Sequence, residues 1–414
     1  MRIVPSMFTA QRRSRSVELH VRRARAAVSA LFFTNGAMFA SLVPRYPEIK
    51  RDFGLGNTGY GFTVAAFPVG ALTVGLIAGF LVRRFGSAKV AVASTILTAG
   101  AILAAGASPS MALLALALLA AGGSDAVADV AQNAHGLLVQ RRYGRSVINS
   151  FHALWSAGVV FGGALAAGAI ALEVSRTVQL AVSGTLSVGI ALAAYRYCLE
   201  ERDQPQKVPA DEPPVPSSQG TGLRLRVLPV FAGITAIGIA ACLVEDAGNS
   251  WAAVYLTDSL GATATMAAGG YVALASAQLA GRALGDRFID RFGQQKVTRV
   301  GGILIAVGMG AALIFPTIPG TVAGFAAMGF GVATLGPTAM QAADELPGLR
   351  PGTGLTVISW LMRVGFLVSP PLVGMIADAS SLRIGLLAFP AAGLVVFLTS
   401  PTLAVKNTRK ATES

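Results

Sequence analysis

Asp125, Asp129, Gln132 and Asn133 interrupt a stretch, 111–139, otherwise built mainly from Ala, Leu, Val and Gly. At 100° per residue on a helix, the first three fall within an arc of about 60°, and Asn133 widens it to about 100°. Asn149, His152 and Ser156 make a second polar stripe of about 60° on the next apolar stretch. Two acids beside an imidazole can do proton chemistry: a carboxyl takes up or releases a proton, and His152 either relays one near neutral pH or acts as a strut donating to Asp129. Trp155 points about 60° away on the same helix and serves either as core or as a stacking surface for a sugar ring.

A second group lies in the other half of the chain. Glu245 and Asn249 share a helical face next to Asp246, and Gly248 is expected to break that helix. Arg363 has Ser359 and Thr356 on its side of the helix, and Asn35 lies near the middle of the first apolar stretch. A buried Arg needs an acid or an anionic ligand. Glu245, Asp246 and Asp125 are the available partners for Arg363.

These groups need an explanation because of where they sit. The 414 residues are 53% hydrophobic and only 13% charged, where a soluble chain carries about a quarter. The apolar stretches run roughly 26–44, 60–82, 88–107, 111–139, 146–172 and 177–196, then 227–256, 265–288, 296–316, 319–343, 354–377 and 381–402. Each approaches or exceeds the ~20 residues that span a bilayer. None shows the period-two alternation of a barrel strand. Ionisable groups inside such spans are functional candidates by default, although hydrogen-bonded glue between helices is the competing reading.

The net charge of +13 is concentrated in an N-terminal arm and in alternate connections, around Arg83, Arg141 and Arg287. The positive-inside rule then places both termini in the cytoplasm. This placement argues for a membrane surface and against nucleic acid. Arg45, Lys50 and Arg51 are the exception, partly offset by Glu48 and Asp52. The expected organisation is a basic arm 1–25 lacking regular structure, six helices over 26–196, a Pro- and Ser-rich linker 197–226, six helices over 227–402 and a tail 403–414. The first span is read as retained rather than cleaved, with Met7 as a second candidate start. Cys198 and Cys242 have no metal-ligand spacing, and no nucleophile elbow or phosphate loop is present. Neither an enzyme nor a cofactor or metal site is expected.

The chain repeats itself. "RFGSAKV" at Arg84–Val90 returns as "RFGQQKV" at Arg291–Val297, an offset of 207 in a chain of 414. Gly122 and Gly329 share that offset, as do Gly158 and Gly365, while Gly144 and Gly352 differ from it by one. Duplication of a six-helix unit explains this register.

Two such halves around a long middle loop resemble the major facilitator superfamily. "GFLVRRFGSAKV" resembles that family's loop motif G-x-L-a-D-r-x-G-r-k through Gly79, Leu81, Arg84 and Gly86, with Arg83 where the family has Asp. The second copy keeps the acid as Asp290, followed by Arg291 and Gly293. The resemblance implies a latch between cytoplasmic helix ends; a plain charged turn is the alternative for Arg83. "SFHALWSAGVVFGG", "DVAQNAHG" and "WAAVYL" are similar to a little-characterised bacterial branch that includes a membrane protein of rhizopine gene clusters and is distantly similar to fucose-type symporters.

The implied fold is all-α, with twelve transmembrane helices in two pseudo-symmetric bundles. The implied function is proton-coupled transport of a small polar solute, sugar- or cyclitol-like, by alternating access, from a monomer in the bacterial inner membrane. Asn35, Asp125, Asp129, Gln132, Asn133, Asn149, His152, Trp155, Glu245, Asp246, Asn249, Ser359 and Arg363 are the expected pathway residues. A drug exporter is the alternative, disfavoured because Gly158–Gly163 lacks the Pro of the antiporter motif and 111–139 has no Arg. A non-transporting sensor is a third reading, without a soluble appendage to support it.

Overall fold

The computed structural model describes residues 7–144, 147–199, 221–346 and 353–406. Arg145, most of the expected linker, and Arg409 and Lys410 of the tail lie outside them. Among the described residues there is no strand. The helices are α1 (Met7–Leu42), α2 (Tyr46–Asp52), α3 (Asn57–Phe85), α4 (Ser87–Gly106), α5 (Met111–Tyr143), α6 (Ile148–Ala171), α7 (Arg176–Tyr195), α8 (Thr221–Asp258), α9 (Ala264–Phe292), α10 (Gln294–Ile314), α11 (Ile318–Val332), α12 (Leu335–Asp344), α13 (Thr353–Ala379), α14 (Leu382–Gly385) and α15 (Ala388–Thr399).

Among the described residues, eleven spans are long and apolar enough to cross a membrane. The remaining expected span, 265–288, is the 29-residue α9, which carries Gly269, Gly270, Gln278 and Arg282 and so falls short on composition rather than length. Contacts divide the chain into two compact units. One takes in Met1–Ser41, Val69–Gly162 and Arg176–Gln204; the other takes in Leu42–Pro68, Gly163–Ser175 and Pro205–Ser414.

Several expectations need correction. α1 begins at Met7, because the Arg-, Gln- and Leu-containing arm has good helix propensity and charge alone does not stop a helix. α8 likewise begins at Thr221, inside the expected linker. It runs unbroken through Gly248, whose lack of a side chain serves packing: a Cβ there would meet Met328 Cε at 2.8 Å. The breaks fall elsewhere. The stretch 319–343 divides into α11 and α12 at Ala333–Thr334, and 381–402 divides into α14 and α15 at Leu386–Leu387. A proline lacks an N–H and crowds the carbonyl four residues earlier. Pro337 and Pro390 stand four residues after Ala333 and Leu386.

The basic residues between α1 and α3 are not a loop. Arg45 is buried, bonded to Glu48 Oε2 at 3.0 Å and to the Val174 carbonyl at 2.7 Å, and Lys50 pairs with Asp258 of α8. The start of α3 is held from 321 residues away. Asp378 at the end of α13 accepts from the backbone N–H groups of Asn57 (3.0 Å) and Thr58 (2.8 Å), acting as a carboxylate cap supplied by another helix.

In the first unit, α1 and α6 meet through glycine. A Cβ on Gly36 would lie 2.1 Å from the Trp155 carbonyl oxygen, and one on Gly158 or Gly162 would lie equally close to those of Phe33 and Ala37. The Gly158-x-x-x-Gly162 spacing therefore lets two backbones touch.

The duplicated heptapeptide has one geometry in both copies. Gly86 (φ 89°, ψ 144°) ends α3 and opens α4; Gly293 (φ 84°, ψ 152°) ends α9 and opens α10. Each N–H closes the outgoing helix, on Val82 O at 2.9 Å and Ile289 O at 2.8 Å, and each carbonyl accepts from the incoming helix at Val90 and Val297. That backbone region is nearly closed to other residues. Gly86→Ala and Gly293→Ala should each lower stability by about 1–3 kcal/mol. Gly100→Ala, whose Cβ would meet open space, should change it little. Thermal unfolding of the purified variants in one detergent checks this contrast.

Candidate functional site

In the first unit, the polar stripes of α5 and α6 meet each other and α1. Asn35 is 4% exposed and sits between two partners. The Trp155 indole can only donate, and its Nε1–H bonds Asn35 Oδ1 at 2.8 Å. That fixes the amide orientation, so Asn35 Nδ2 donates to Asp125 Oδ1, also at 2.8 Å. Asp125 is half-buried. One neutral amide thus links a carboxylate on α5 to an indole on α6.

Two turns along α5 from Asp125, Asn133 plays the corresponding part for Asp129. Its Nδ2 donates to the Asp129 carbonyl and to Asp129 Oδ1, both at 2.9 Å, and its Oδ1 lies 3.1 Å from His152 Nε2. With the Asn133 amide committed to Asp129, His152 Nε2 is the donor in that contact. The imidazole edge also packs on Phe32, with ring centroids 5.3 Å apart. Asp129, Asn149 and His152 are exposed, whereas Gln132 is buried and its Nε2 has no hydrogen-bond partner.

In the second unit, Glu245 Oε1 lies 3.0 Å from Arg282 Nη2 of α9, and Asp246 Oδ2 accepts from Ser369 Oγ of α13 at 2.8 Å. The expected pairing of these acids with Arg363 is therefore replaced. Arg363 is exposed on α13 beside exposed Trp360 and Val364, while Ser359 and Asn249 are half-buried. Sequence reasoning passed over Arg282. Its signal was available: a guanidinium between Gly281 and Ala283, well inside an apolar stretch. Ser369 carried no such signal, since a serine beside two prolines reads as a helix irregularity.

Two further features were missed. Fully buried His135 contacts Ser87 Oγ through Nδ1 at 2.8 Å and accepts the Leu199 N–H through Nε2 at 3.1 Å, tying α4, α5 and the segment after α7 together. In the second unit, the Tyr60 hydroxyl donates to the Ser250 carbonyl, and its ring meets Trp251 edge-on at 4.8 Å. The loop-motif residues Arg83, Arg84, Asp290 and Arg291 are all exposed. Gly79 lies close enough that a Cβ would be 3.3 Å from Arg83 Nη1.

The Glu245–Arg282 pair is partly buried, at 23% and 29% side-chain exposure, so removing one partner strands the other. Arg282→Met should lower stability by about 1–3 kcal/mol, and adding Glu245→Gln should recover part of that loss. A double-mutant cycle by thermal or denaturant unfolding reads the coupling, and strict additivity of the two changes would refute it.

The chain matches the model of the Major Facilitator Superfamily over residues 28–288 and 246–413. It is 27% identical over 377 residues to membrane protein MosC of Rhizobium meliloti, covering 90% of this chain and 88% of that one. Among solved structures, it is similar to an inward-facing, unoccupied bacterial homolog of the human lysosomal transporter Spinster (TM-score 0.71, 14% identity, 93% of this chain and 98% of that one). It is also similar to a D-xylose–proton symporter (TM-score 0.66, 16% identity, 93% and 97%). These likenesses agree with the all-helical architecture and the run of apolar spans. The chain is a membrane transporter belonging to the Major Facilitator Superfamily.

Proposed function

We propose that the chain is a proton-coupled secondary transporter of a small hydroxyl-rich solute, sugar- or cyclitol-like, working by alternating access. It acts as a monomer in the bacterial inner membrane, with both termini cytoplasmic and its two six-helix halves joined by the linker that precedes α8. The observation that carries this reading is the chain Asp125–Asn35–Trp155. Asp125 takes its hydrogen bond from a neutral amide rather than a cation. When the carboxyl gains a proton, it becomes a donor as well as an acceptor. The bond from Asn35 Nδ2 then loses its charge assistance and weakens, the new O–H needs an acceptor of its own, and the hold of Asn35 on Trp155 of α6 loosens with it. A proton on α5 is thereby converted into rearranged contacts among α1, α5 and α6.

The rest of the group suits a polyol. Asn133, Gln132, Asn149 and His152 offer neutral donors and acceptors, and Trp155 offers an apolar face of the kind that stacks on a sugar ring. Glu245 with Arg282, and Asp246 with Ser369, form the corresponding polar positions of the second half. The fold shared with a D-xylose–proton symporter is consistent with this reading.

In membrane vesicles with an imposed pH gradient, the unmodified protein should accumulate a member of a panel of labelled sugars and cyclitols. Asp125→Asn should lower gradient-driven accumulation by about tenfold or more while retaining solute exchange at equal pH. Glu245→Gln is measured alongside. If coupled accumulation survives both substitutions, neither acid carries the proton.

A further inference from the structure

Each unit carries a groove that the transport site does not use, and the two grooves match at the duplication offset. The first, of about 840 Å³, lies among α3, α4 and α5; the second, of about 440 Å³, lies among α9, α10, α11 and the α11–α12 break. Phe85, Lys89 and Leu97 line the first; Phe292, Lys296 and Leu304, each 207 residues on, line the second. The walls are overwhelmingly apolar, and the single charged residue lining each groove is its lysine.

That lysine is not the only cation at the mouth. Arg84 stacks on Phe85 with its guanidinium carbon 6.0 Å from the ring centroid, and Arg291 stacks on Phe292 at 5.5 Å. The phenylalanine of each groove wall therefore carries a second positive charge beside Lys89 or Lys296. All four basic side chains are exposed. The incoming helices α4 and α10 also begin at glycines that supply no side-chain cap, so the positive helix end adds to the same mouth.

An apolar trough that ends in two cations where the helices end has the chemistry of an anionic amphiphile's complement. The occupant has to be apolar along most of its length and negative at one end. Conserving both charge and groove through two copies whose surrounding sequence has diverged separates this arrangement from scattered surface lysines. We propose that the two grooves are binding sites for anionic phospholipid, with one acyl chain in each trough and the phosphate between Lys89 and Arg84, or between Lys296 and Arg291. The first site is the roomier because it continues along α4 past Gly100 and Ala104, whereas the second stops at Leu304. This proposal does not depend on the solute or on proton coupling.

Native mass spectrometry of the full chain, released from a neutral detergent with added phosphatidylglycerol or phosphatidylcholine, tests it. Phosphatidylglycerol should be retained up to two per chain under activation that strips phosphatidylcholine. Lys89→Ala with Arg84→Ala should remove one of the two, and Lys296→Ala with Arg291→Ala the other. Gly100→Leu fills the first trough without touching charge, since a Cβ there meets open space, and should also remove one. Unfolding midpoints measured without lipid confirm that the variants fold. Equal retention of both lipids, unchanged retention in the variants, or full displacement by millimolar inorganic phosphate would each overturn the assignment.

Discussion

An acid buried on a helix that crosses an apolar layer has little water to turn to, and the partners of Asp125, Glu245 and Asp246 come from other helices. Most of what is specific in this structure follows from that constraint. Asp125 on α5 is met by Asn35 on α1, Glu245 on α8 by Arg282 on α9, and Asp246 on α8 by Ser369 on α13. Each contact fixes the rotation and height of one helix against its neighbour. Apolar packing alone would tolerate small slips, because one leucine replaces another at little loss. A 2.8 Å hydrogen bond between an amide and a carboxylate would not survive them.

Small residues let these contacts form. Asn35 reaches both Asp125 and Trp155 because Gly36, its neighbour, lets α1 lie against the backbone of Trp155 itself, while Gly158 and Gly162 admit Phe33 and Ala37 from the other side. A side chain at any of these glycines would separate α1 from α6 and pull Asn35 away from the indole. The glycine content, which in a soluble helix would count as weakness, here brings hydrogen-bonding groups within range.

Much of this was legible in the sequence, for identifiable reasons. Span length, alternating basic connections and a repeat at half the chain length are properties of the chain itself, so the helical membrane architecture could be read directly. The stripe on α5 was visible because Asp, Gln and Asn stand out against Ala and Leu. Partners were harder. Arg363 looked like the counter-charge because it is a lone arginine in an apolar helix, yet only the packing of α8 on α9 brings Arg282 to Glu245. The cap that Asp378 gives α3 spans 321 residues and leaves no local trace. Helix breaks were misjudged by weighing glycine over proline: Gly248 lies within a continuous helix, whereas Pro337 and Pro390 mark the interruptions. Pro68, Pro229, Pro370 and Pro371 lie inside helices, so proline sets a possible break and its surroundings decide.

Those interruptions make the two copies unlike in continuity. α5 starts at Met111 and runs 33 residues as one rod; 207 positions later its counterpart starts at Ile318 but is jointed after 15 residues. α7 is likewise a single 20-residue rod where the last stretch is α14 followed by α15. The repeat keeps the starting points of these helices but not their continuity. α5 keeps its helical bonding from end to end, while the corresponding stretch is interrupted at Ala333–Thr334. The second half therefore breaks its helical ladder at two places where the first keeps it whole, freeing backbone carbonyls and amides there that its counterpart holds inside a helix.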